Sequence, residues 1–256
     1  MVYSFFLLLH YYTNTLFMSA TIISIGNQKG GVGKTTLSAL LANSLSQDLK
    51  MKILAIDCDG QGTFYKYRKN NLQDLGKDYE FSYPIKRMLF KDLHDHVLSD
   101  DVINNYDVVI VDMPGALYDL DGDSGTIKKF IAVCDIIFLP IIAYTANISS
   151  SMEYYLALND IRMRKKKVFD MDLDIYCFLN RKRNVKEYEG IRELLASYGL
   201  PLLKSELSDS IEYQRISCEV KSLMKSSTSN PKLYNEYGEW VQEVEEKIML
   251  NKKKNQ

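Results

Sequence analysis

The stretch Thr21–Ala42, "TIISIGNQKGGVGKTTLSALLA", sets an apolar run against a glycine-rich turn and then an apolar helix-like segment. A glycine turn between a buried strand and a helix aims several backbone N–H groups at one point, where the helix N-terminus adds partial positive charge. Glycine is needed there because the chain takes conformations that a Cβ would block and approaches its ligand closely. Gly30, Gly31, Val32 and Gly33 therefore read as a phosphate-cradling loop that runs into Thr36. Lys34 is placed to reach terminal phosphates, and the Thr35 hydroxyl to ligate Mg²⁺. The common spelling G-x-x-x-x-G-K-[ST] fails, because Gln28 stands at its first glycine. The stretch reads K-G-G-x-G-K-T-T instead, with a second lysine, Lys29, at the start of the loop.

Working outward, short apolar runs alternate with helix-like stretches, the pattern of a parallel sheet wrapped by helices. Strands are expected at 21–26, 52–57, 107–112, 135–140 and 174–180, with a weaker one near 201–204. The stronger runs are apolar throughout rather than alternating, as in strands buried on both faces. Helices are expected near 34–48, 63–75, 88–104, 126–133, 147–164, 186–198 and 231–249, the last opened by Pro231 after Asn230. No repeat and no long linker divides the chain. The expectation is one α/β domain over 18–250, with a mostly parallel twisted sheet and helices on both faces. The segment 225–232 is expected to be a loop, and residues 251–256 a basic disordered tail.

Composition excludes some functions. With 46% hydrophobic and 25% charged residues the chain can build a full core, and a net charge of −1 gives no global pull toward nucleic acid or anionic lipid. Cys58, Cys134, Cys177 and Cys218 are far apart and form no metal-ligand spacing, so they read as reduced residues of a cytoplasmic protein. His94 and His96 in "DLHDH" lack a third partner and read as part of a surface helix. The apolar segment 1–17 lacks a basic flank and a cleavage site, so it does not read as a secretory signal. Either translation starts at Met18, or the segment is an added amphipathic anchor or partner-binding arm.

Ligands of open α/β sheets sit at the carboxyl ends of strands, so the polar residues there are the next candidates. "KILAIDCDGQGT" ends in Asp57 and Asp59, and "YDVVIVDMPGA" in Asp112. Each aspartate alone could merely cap a turn. Beside a phosphate loop, Asp112 suits the Mg²⁺ water shell. Asn180, at the end of the run 174–180, carries the donor and the acceptor that an adenine edge requires, and it also suits a turn cap.

Together these motifs resemble the deviant Walker A ATPases, the group of ParA, Soj, MinD, nitrogenase iron protein and the arsenite-pump ATPases. The resemblance covers most of 21–250, strongest at the loop, and implies ATP and Mg²⁺ as ligands. It also implies roles. Lys29 would cross a homodimer interface to the other subunit's phosphates, Asp59 would orient the attacking water, and Asp57 would support the metal. Asn180 would read adenine, while Arg181 and Lys182 could serve the same pocket. The D-x-D-x-Q stretch departs from the family's D-x-D-P-Q, since Gly60 stands at the proline, which puts loop rigidity in doubt. "DMPG", with Pro114 and Gly115, resembles the mobile switch segment.

Within that group, the cysteines do not fit an iron–sulfur protein, and the chain is too short for a two-domain pump. The segment 235–250 is amphipathic, but its polar face carries Glu236, Glu239, Glu243, Glu245 and Glu246, which anionic lipid repels. It reads as a helix docked on the domain, and no stable membrane association is expected. The resemblance narrows to ParA/Soj-type partition ATPases of the short kind, cytoplasmic and nucleoid-associated. These bind non-specific DNA as ATP dimers and are reset by a ParB-like centromere-binding partner. DNA contact would need local cations. Candidates are Arg162, Arg164, Lys165, Lys166 and Lys167; Arg181, Lys182, Arg183 and Lys186; or Lys221, Lys225 and Lys232. Any one run also reads as an ordinary solvated face. The rivals are a MinD-like membrane-positioning ATPase and an ATP-driven small-molecule enzyme of the dethiobiotin synthetase kind.

Overall fold

The structure, a computed structural model, describes residues 20–114, 124–143, 145–183, 188, 190–225 and 230–254. The segment 1–17, Gly115 and Lys186 lie outside the described residues. The chain runs β1 (Thr21–Ile25), α1 (Lys34–Gln47), β2 (Ile53–Asp57), α2 (Thr63–Leu75), β3 (Ile85–Arg87), α3 (Phe90–Val97), α4 (Asp100–Asn105) and β4 (Val108–Asp112). It continues through α5 (Ser124–Val133), β5 (Ile136–Ile141), α6 (Thr145–Phe169), β6 (Asp174–Leu179), α7 (Ile191–Ser197), α8 (Ile211–Ser217) and α9 (Pro231–Lys254).

The six strands form one parallel sheet in the order β3-β2-β4-β1-β5-β6. Successive side chains along a strand point to opposite faces, which is why the apolar runs feed two core layers. Ile22, Leu54, Ile56, Val109 and Val111 pack with Leu93 of α3, Phe130 of α5, Leu158 of α6 and Leu195 of α7. On the other face Ile23, Ile25, Ala55 and Phe138 pack with Leu40 of α1, Ile216 of α8 and Trp240 of α9. β1, β2, β4 and β5 are buried along their whole length. Register then sets the chemistry. Asp57 pairs with Asp112, and Asp112 with Ile25, so both carboxylates end beside the loop that follows β1.

Five features depart from expectation. The helix expected over 88–104 is two helices, because Ser99 adopts an extended backbone and its hydroxyl donates to the His96 carbonyl at 2.8 Å. Near 201–204 there is no strand, only a single bridge between Leu202 and Cys177. β3 and α8 were not foreseen. The tail expected to be disordered from 251 is helical through Lys254, since Asn251 and Lys254 both donate to the Asp174 carboxylate.

Candidate nucleotide-binding site

The loop after β1 is shaped by its backbone and by one buried amide. Gly31 and Gly33 have φ of +75° and +96°, the left-handed region that glycine enters without steric cost. Gly33 caps α1, a 14-residue helix with no acidic residue in its first turn, so its N-terminal field is uncompensated. A Cβ on Gly30 or Gly31 would meet nothing within 4 Å, leaving open space over the first half of the loop. Asn27, 1% exposed, donates to the Pro140 carbonyl and the Ser151 hydroxyl, both at 2.8 Å, and accepts from the Lys29 amide at 2.9 Å. Sequence reasoning missed this residue; its one signal is a polar side chain directly after an apolar strand. The close approach of Tyr154 to Gly26 fixes the loop's other root, since a Cβ there would lie 2.7 Å from the tyrosine oxygen.

The two lysines differ. Lys34 is buried, and its Nζ donates to the Lys29 carbonyl at 3.3 Å. Burial lowers its pKa, while Asp112 and Asp59 pull it back up. Lys29 is exposed.

The carboxylates converge as their strands dictate. Asp112 is fully buried, with Ser38 Oγ 3.4 Å from its Oδ1 and no hydrogen-bond donor on its Oδ2. Burial pushes its carboxyl up to about 7; Asp57 and Asp59 add to that, and Thr35 and Lys34 oppose it. A buried carboxylate oxygen without a partner is costly, and an oxygen-only set of Asp112 and Thr35 suits a hard divalent cation. The residues present therefore fit Mg²⁺. Asp57 is turned toward its own loop: Oδ1 accepts from the Asp59 amide at 3.1 Å and Oδ2 from the Tyr65 amide at 2.8 Å. Burial raises its pKa, and these two bonds lower it. Asp59 is half-buried, and its Oδ1 accepts from the Gln61 amide at 2.8 Å.

A pocket opens on the far side of the loop, between Gly31, Gly33 and Thr36, the β6 end at Asn180 and Arg181, and Ser208, Asp209 and Tyr213. Asn180 Nδ2 donates to the Val32 carbonyl at 2.8 Å. Arg181, with φ +54°, donates to the Gly31 carbonyl at 3.0 Å and to Asp209 at 2.9 Å. The wall at 208–213 was also missed by sequence reasoning. It is held from behind by α9, where Glu236 Oε1 accepts from the Ser208 amide and hydroxyl and from the Tyr213 hydroxyl. Two glutamates of the polar face of this helix are thus structural, since Glu243 likewise accepts from the Lys204 and Ser205 amides.

Several cations of the basic runs are committed to the fold. Lys165 is 2% exposed and donates to the Cys134 carbonyl at 2.8 Å. Arg164 pairs with Asp160, Lys166 with Asp170 and Asp172, Lys182 with Glu206, Arg183 with Asp209, and Lys225 with Asp48. Arg162, Lys167, Lys221 and Lys232 form no ion pair with another described residue. Among the described residues no helix is long and apolar enough to cross a membrane.

Residues 23–223 match the family described as the CobQ/CobB/MinD/ParA nucleotide binding domain, and the chain belongs to that family. Its sequence is similar to two proteins named maintenance of carboxysome distribution protein A. That of Gloeobacter kilaueensis is 29% identical over 46% of this chain and 48% of its own length. That of Halothiobacillus neapolitanus is 25% identical over 58% and 63%. The chain thus spans roughly half to three-fifths of these relatives. In fold it is similar to a putative plasmid partition protein of Borrelia burgdorferi bound to AMPPNP, with TM-score 0.65, 20% identity, and 89% and 99% of the two chains covered. The MinD cell division protein of Aquifex aeolicus aligns with TM-score 0.66, 15% identity, and 89% and 98% covered.

Proposed function

We propose that this chain is a ParA-type ATPase that positions a cargo on DNA. The observation that carries the reading is one glycine loop holding an exposed Lys29, a buried Lys34 and, beside it, the unpartnered Asp112 Oδ2. The amides of Gly30 to Thr36 and the Lys34 ammonium hold the phosphates of ATP. Thr35 and Asp112 would hold Mg²⁺, which would neutralise phosphate charge. Asp57 fixes the loop that carries Asp59, and Asp59 orients the attacking water, so catalysis here is chiefly positioning and electrostatics. Asn180 and Arg181 form the base side of the pocket. Lys29 reaches the phosphates of a second copy, so nucleotide becomes part of a homodimer contact.

The dimer binds duplex DNA without sequence preference through cations such as Arg162, Lys167, Lys221 and Lys232, in the cytoplasm and on the nucleoid. Hydrolysis, stimulated by a ParB-like partner, releases it. Basal turnover is low until that partner stimulates it. The fold likeness to plasmid partition proteins supports a plasmid or other mobile element as cargo. The sequence relatives named for carboxysome distribution favour a second reading, in which the same cycle carries a protein assembly.

The membrane rival gains little from α9. Its apolar residues Trp240, Val244 and Ile248 lie in the core rather than toward solvent.

The test is binding of the purified protein to random-sequence duplex DNA with ATP, ADP or no nucleotide, across a salt series. Binding that requires ATP and falls steeply with salt supports the reading. Absence of binding in every state, together with co-sedimentation with anionic liposomes, would favour the membrane rival.

A further inference from the structure

Gly60 lies between the two ends of a tight turn, where the Gly62 amide donates to the Asp59 carbonyl at 2.9 Å. Gly60 has no side chain of its own to restrain it. Glycine has the widest backbone freedom of any residue, and a Cβ placed there would meet no atom within 4 Å. Yet the residue beside it, Asp59, is the group proposed to orient water, and a water-orienting carboxylate has to be held in one place.

The restraint comes from outside the loop. Arg87 ends β3, whose register sets it directly beside Asp57 at the carboxyl edge of the sheet. Its Nη2 donates to the Gly60 carbonyl at 3.0 Å. Its guanidinium also lies close against Gly62, where a Cβ would sit 2.9 Å from both Cζ and Nε. Gly62 has φ +61°, so the turn is closed by a residue whose conformation and lack of side chain both suit that guanidinium. The Met88 amide, next in the chain, donates to the Asp57 carbonyl at 3.1 Å and anchors Arg87 to the strand that carries the loop.

We propose that Arg87 is a positioning residue for hydrolysis, clamping the Asp59–Gly62 turn so that Asp59 is presented in one orientation. The inference rests on the proposed role of Asp59. Arg87 acts through the turn and does not touch nucleotide. Its removal therefore loosens catalysis while leaving the Gly30–Thr36 loop and its affinity alone.

The test is steady-state phosphate release and fluorescent-ATP binding by the full chain, as wild type, Asp59→Ala, Arg87→Ala, Arg87→Lys and the double variant Arg87→Ala with Gly60→Pro. Arg87→Ala is expected to lower kcat roughly ten- to hundredfold, with nucleotide Kd and melting temperature close to wild type. Arg87→Lys, keeping one donor, should recover part of the rate. Proline at 60 narrows the backbone freedom that the clamp otherwise restricts, so the double variant should turn over faster than Arg87→Ala. An inactive Asp59→Ala beside an Arg87→Ala of wild-type kcat would overturn the clamp alone. Equal losses of kcat, affinity and melting temperature in Arg87→Ala, with no rescue by proline, would reduce Arg87 to a structural residue. Wild-type turnover by Asp59→Ala would remove the underlying reading of Asp59, and the clamp with it.

Discussion

Asn180 Nδ2 and the Val32 carbonyl meet at 2.8 Å, so the last residue before the β6 turn grips the glycine loop by its backbone. The contact leaves no room for a side chain at Gly33, where a Cβ would lie 2.8 Å from the same nitrogen. The sequence suggested an asparagine with donor and acceptor both free for adenine. In the structure one of the two Nδ2 hydrogens is already engaged by the Val32 carbonyl.

Asn180→Ala should therefore act on stability as well as on affinity. It strands a buried carbonyl, at a cost of about 1–3 kcal/mol, and loosens the loop. Urea titrations should show that loss, and nucleotide titrations a weaker Kd. An unchanged midpoint would mean the loop does not depend on the asparagine.

Lys29→Ala should spare nucleotide binding and abolish ATP-dependent dimerisation. The exposed side chain leaves the subunit's own loop intact, because Lys34 uses only the Lys29 carbonyl. Light scattering with a non-hydrolysable ATP analogue decides it; a variant that still dimerises would remove the proposed role of the second lysine.

Asp59→Ala should hold the ATP dimer on DNA. Its turn loses an Asx contact to Gln61 but keeps the Asp57 bonds that shape the loop. The expected record is normal ATP-dependent DNA binding that persists for as long as ATP remains. Rapid release would assign the water to another group.

Neighbours in one basic run should behave in opposite ways. Lys165 is buried with its ammonium on the Cys134 carbonyl, so Lys165→Met leaves that buried carbonyl without its donor, at a cost of about 1–3 kcal/mol. Lys167→Ala should change stability by less than about 0.5 kcal/mol and weaken DNA binding at low salt. Denaturation curves and DNA titrations of the two variants would separate the roles.

Acid should loosen the base side of the pocket. Burial pushes the Asp209 carboxyl up, but the hydrogen bonds of Arg181 and Arg183 outweigh it and hold its folded pKa below the ordinary value. A depressed carboxylate pKa contributes stability that is present above the unfolded value of about 4 and is lost as pH falls through the folded value. Melting temperatures of wild type and Asp209→Asn should thus converge below about pH 4 and differ above it. Parallel curves would show the two arginines to be idle.

What could be read from sequence follows physical redundancy. β1, β2, β4 and β5 were legible because strands buried on both faces need unbroken apolar runs, β6 because its apolar run persists although it lies half-buried at the sheet edge, and the loop because its chemistry tolerates few residue types. β3 was not: it has three residues at a sheet edge, none fully buried, and no apolar run to betray it. α8 was signalled only by Ser210, whose hydroxyl accepts from the Glu212 amide. The roles of Asn27, Arg87 and Glu236 were not legible because each holds a backbone far away in the chain, and neither composition nor spacing encodes such a partner.

The grip of Glu236 on Ser208 and Tyr213 has a consequence for synthesis. A ribosome makes every strand and the entire phosphate loop before it makes α9, and domains tend to acquire structure as they emerge. A nascent chain lacking α9 has neither the support for that wall nor the Trp240, Val244 and Ile248 side of the core. The pocket therefore becomes whole only when α9 has been delivered.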